Sequence, residues 1–146
     1  PSLAELITNG GNVLVTSADL AAKGKTTYDL AVVSNDFASK YPEFVTAWVG
    51  FQSQAVELYR SDANAWAEAV GTELDLDVDA VLAAAKELIF LTAAEQATAE
   101  HLGGGLLTNL WAAAEFHYDQ GQIDELADKT VYEAAVTADF ATNAGK

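Results

Sequence analysis

The chain has 146 residues, 22 acidic against 7 basic, and a formal net charge of −15. A polyanion or an anionic bilayer is repelled by such a surface, so nucleic-acid binding and docking on acidic lipid are excluded as leading functions. Hydrophobic residues make up 51 %, enough for one domain with a core, or part of one, and no apolar run approaches a membrane span. Absence of cysteine removes disulfides, thiolate metal sites and a cysteine nucleophile.

In chain order, Leu3 to Thr8 read as a helix end closed by Asn9-Gly10-Gly11. Asn12 to Thr16 read as a short strand, Ser17 as the cap of a small helix over Ala18 to Ala22, and Lys23 to Thr26 as a loop. Thr27 to Val33, rich in β-branched and aromatic residues and followed by Ser34-Asn35-Asp36, is the best strand expectation. Beyond it the pattern is helical. Asn35 or Asp36 caps a helix to Lys40, and Pro42 opens the next one with Glu43 in its first turn. Phe44, Trp48, Phe51, Ala55 and Leu58 form its apolar stripe at helical spacing. Asp62 starts a helix carrying Trp66 and Val70 and ended by Gly71. Asp77 or Asp79 starts another, with Val81, Leu82, Ala85, Leu88 and Ile89 inward. Thr92 and Glu95 form a capping box for a helix to about Leu102. Gly103-Gly104-Gly105 breaks the chain, a long helix runs from Leu106 to Gln120, and Val131 to Phe140 form the last one.

Two strands make a marginal sheet. Early strands followed by helices therefore suggest an α/β fold whose other strands lie outside these residues. With no methionine and a first residue Pro1, the chain reads as a piece of a longer polypeptide. The acidic excess reads as a solvated surface or as adaptation to a salty habitat.

Few constellations carry chemistry. Gly24-Lys25-Thr26 matches the end of a phosphate loop, but Asp19 stands where its first glycine belongs. Asp75, Asp77 and Asp79 match the first half of a calcium loop, but Ala80 and Lys86 occupy its glycine and glutamate positions. His101 and His117 lie in no metal or nucleophile motif, and no GxSxG elbow is present. The glycine run has two readings, an anion cradle or a close helix turn, and the second is favoured. Asp29 stands inside the most apolar expected strand. Either it reaches solvent at a strand end or a cation meets it.

Tyr28 to Glu43, YDLAVVSNDFASKYPE, resembles the taurine-binding periplasmic proteins of ABC importers, within the wider sulfonate/nitrate-type solute-binding family. The matching pieces are Asp36-Phe37-Ala38 and Lys40-Tyr41-Pro42-Glu43, then Leu91 to Gln96, Gly121-Gln122-Ile123 and, upstream, Gly11-Asn12-Val13-Leu14. The resemblance implies part of a two-lobed type II periplasmic solute-binding fold, mostly helical in this segment. Residues 1–30 would end the second lobe and supply the crossing strand; residues 31–146 would be helices of the first lobe. It implies an exported, periplasmic or extracellular protein, no enzyme, with neither cofactor nor metal. Its partners would be the missing N-terminal half, the permease subunits and a small sulfonate. On the pattern Gly24, Thr27 and Asp29, the ligand ammonium would fall to Asp29, with Thr27 beside it and Lys25 as a competing internal partner. Lys23 and Thr26 depart from the family pattern. The alternatives are a stand-alone helical interaction module, and an enzyme of the thiamin-pyrimidine-synthase-like branch of the same fold using His101 or His117.

Overall fold

Ten helices and no strand make up residues 2–145, the residues described by the computed structural model of the chain. The chain divides into two units, residues 1–32 and residues 33–146.

The first unit holds α1 (Ser2–Thr8) and α2 (Ser17–Ala21). α1 stops in a Schellman turn. The Gly10 N–H donates to Ile7 O (3.0 Å) and the Gly11 N–H to Leu6 O (2.8 Å), with Gly10 at φ 89°, a conformation glycine adopts without penalty. α2 begins with a capping box between Thr16 and Asp19, one residue before the expected cap Ser17.

Both expected strands are corrected here. Residues 12–16 and 25–34 form neither helix nor strand, and no ladder exists among the described residues. Leu14 is 96 % exposed and Val32 92 %. β-propensity expresses how well a side chain packs on a pleated, half-buried surface. Without a neighbouring strand or a covered face, these β-branched runs gain nothing from pairing. The described chain is therefore an all-helical domain, not an α/β fold, and no part of it shows the type II periplasmic architecture that the resemblance implies.

In the second unit, α3 (Asn35–Lys40) is capped by Ser34, whose Oγ accepts from the Phe37 N–H at 3.2 Å. α4 (Pro42–Ser61) is the longest helix and starts on proline, whose missing N–H costs nothing at that position. Its buried side is Val45 and Ser53, with Val49 and Val56 half-buried between and beyond them. The expected stripe faces the other way: Phe44, Trp48, Phe51 and Leu58 are exposed. Both sets repeat at helical spacing, and only the packing partners decide between them.

α5 (Ala63–Leu74) is capped by Asp62, which accepts from the Ala65 N–H at 3.0 Å. Gly71 does not end it. It lies buried inside the helix, and a Cβ there would meet Leu76 O at 2.6 Å. The helix ends instead at Asp75, in the left-handed region at φ 55°. α6 (Val78–Ala85) is capped by Asp77 and stops before Leu88 and Ile89, which are exposed rather than inward. The helix from Thr92 is a single turn, α7 (Ala93–Gln96), rather than a run to Leu102. The Leu102 N–H turns back to Gln96 O (2.9 Å) and the glycines continue the reversal. α8 (Gly105–Asp119) follows. The last expected helix is two, α9 (Lys129–Ala135) and α10 (Asp139–Ala144), separated at Val136 by an extended residue.

Within this unit α10 packs on α4 and α7, α5 on α4 and α6, and α8 on α9. The buried apolar residues are Val45, Ala67, Val81, Ala85, Ala93, Leu106, Ala114 and Ala141. Alanine dominates because the helices approach closely and leave room for little else.

Candidate functional site

Thr27 and Asp29 both lie in the irregular segment that follows Gly24, and both are exposed. Gly24 turns the chain there at φ 74°. Lys25 does not pair with Asp29, since among the described residues the ion pair formed is Arg60–Glu95. The Asp29 carboxylate thus keeps its acceptor oxygens available for a cation from outside, an ammonium included.

Two of the open clefts among the described residues lie in the second unit. One of about 430 Å³ is lined by Lys40, Tyr41, Pro42, Glu43 and Phe44. The other, about 820 Å³, lies along the α5–α6 turn between Glu68 and Val78. Neither takes in Asp29 or Thr27.

The other sequence candidates are spent locally. Asp19 accepts from the Thr16 hydroxyl (2.6 Å) and, second, from its backbone N–H (2.9 Å), which hold its carboxyl below the usual range. An acid committed to a helix start is no phosphate cradle. Asp77 caps α6 through the Ala80 N–H at 2.8 Å. No group of three or more His, Asp or Glu side chains suited to a metal forms among the described residues. The glycine run holds no free cradle of amides either. The N–H groups of Gly103, Gly105 and Leu106 donate to Thr98 O, Ala99 O and His101 O, all at 2.9 Å. His101 is half-buried in the turn before α8, its Nδ1 without a hydrogen-bond partner. His117 sits in the last turn of α8 against the Gln122 side chain. Twelve residues of helix, roughly 18 Å, separate the start of α8 from His117, so the two imidazoles do not form one centre.

Sequence reasoning found Glu95 as a capping residue and missed its second role. Its carboxylate takes both Arg60 guanidinium nitrogens, Nη1 at 3.0 Å and Nη2 at 2.9 Å, while also accepting from the Thr92 N–H at 2.8 Å. Arg60 Nη2 further donates to Phe90 O at 2.9 Å. This fork ties the end of α4 to the start of α7, beside an aromatic cluster of Tyr59, Trp66 and Phe90 with ring centroids 4.9–5.7 Å apart. A partner 35 residues away leaves no mark in a local sequence window.

The Arg60 guanidinium, then the Thr92 backbone, lower the Glu95 carboxyl from the ordinary 4.5 to about 2. Because the folded value lies below the unfolded one, the pair's contribution is complete above pH 4.5 and drains away as pH falls through about 2. In Arg60→Ala, an NMR titration of Glu95 is expected to move its midpoint up towards the ordinary value, and stability should depend less on pH in that window. An unmoved midpoint would show that Thr92 alone holds the carboxylate.

No family model, curated protein or solved structure matches this chain. No helix among the described residues is long and apolar enough to cross a membrane.

Proposed function

We propose that this chain is part of the solute-binding component of an ABC importer, which captures taurine or a related small sulfonate and delivers it to the permease. Asp29 carries the reading. Its carboxylate is exposed and unpaired by Lys25, in the stretch where the resemblance to taurine-binding proteins is densest. In this reading Asp29 meets the ligand ammonium in a charge-assisted hydrogen bond and Thr27 flanks it. Sulfonate donors come from the N-terminal half of the same protein, and no bond is made or broken. The protein works outside the cytoplasmic membrane.

The test is a thermal shift on the full-length protein. A ligand at a hundred times its Kd adds about 2.7 kcal/mol to the folded state, so taurine should raise the melting temperature by several degrees. Asp29→Asn should remove that shift while leaving the unliganded melting temperature unchanged. A normal taurine response in the variant would remove Asp29 from the site. No response in the parent protein, across a panel of small sulfonates, would defeat the reading itself.

A helical interaction module is the second reading, favoured by the exposed aromatic side chains of Phe44, Trp48 and Phe51 on α4. Intact mass under denaturing conditions separates the two. A cellular product near 15.4 kDa favours the module, and one about twice as heavy favours the two-part binding protein.

A further inference from the structure

We draw no further inference here: the strongest candidate, the exposed aromatic face that Phe37, Tyr41, Phe44, Trp48 and Phe51 form along α3 and α4, has nothing in the structure to show what covers it.

Discussion

Gly105→Ala is expected to destabilise the second unit by about 3 kcal/mol or more, near the upper end of single substitutions. The chain doubles back so tightly before α8 that a Cβ on Gly105 would fall on the carbonyl of Glu100, inside any allowed contact. That carbonyl is backbone and has no rotamer to escape into. Relief requires opening the turn, which also breaks the Gly105 N–H bond to Ala99 O and the Leu106 N–H bond to His101 O. Urea unfolding followed by circular dichroism measures the loss. Gly121→Ala is the control: its φ is +66° but nothing lies within 4 Å of the added methyl, so the cost should be only the ~1–2 kcal/mol of a left-handed residue. Equal losses in the two variants would mean that the turn before α8 is looser than described.

Ala141→Leu should cost about 1–3 kcal/mol through overpacking and should act chiefly on α10. Ala141 is 2 % exposed, in the helix that rests on α4 and α7. Small residues mark the approach of α10 to α7. Ala93 is fully buried, and Gly145 comes so near Ala94 that an added Cβ would stand 3.3 Å from its nitrogen. The Ala93 N–H donates to the buried Ser53 Oγ at 3.0 Å, joining α7 to α4. A leucine at position 141 has to force its extra carbons into this buried position, so α10 should lift off before the rest unfolds. Hydrogen exchange reads this directly: amides of residues 139–145 should lose protection while those of α5 keep theirs. Uniform loss across both helices would show that α10 is not a separable element.

Local punctuation was legible in the residues. Asp62, Asp77 and the Thr92–Glu95 pair cap the helices that their sequence patterns announce, and Pro42 opens α4. Each of these is a contact within three or four residues, so a short window contains the whole cause. Outcomes fixed at a distance were not legible. Val45 and Ser53 are chosen over Phe44 and Trp48 as the inner side of α4 by its neighbours, α5, α7 and α10, and amphipathicity alone favoured the larger side chains. Thr27 to Val33 has strand composition, but composition supplies no second strand. Gly71 looked like a terminator and is instead where α5 comes closest to the chain at Leu76. At the candidate site, Asp29 was conspicuous as an acid in an apolar run. Its lack of an internal cation is a fact of three dimensions that the neighbouring Lys25 concealed.

The exposed aromatic face of α3 and α4 has a calorimetric consequence. Heat capacity on unfolding scales with the apolar area newly wetted, about 12–15 cal/mol/K per residue for an ordinary domain. A unit that already exposes Phe44 at 62 % and Phe51 at 65 % has less apolar surface left to wet. Its free energy then changes little with temperature near the optimum, and its response to urea is correspondingly shallow. Any binding event that covers the α3–α4 aromatics buries apolar area and shows as a negative ΔCp of association, a signal that titration calorimetry at several temperatures reads without knowledge of the partner's structure.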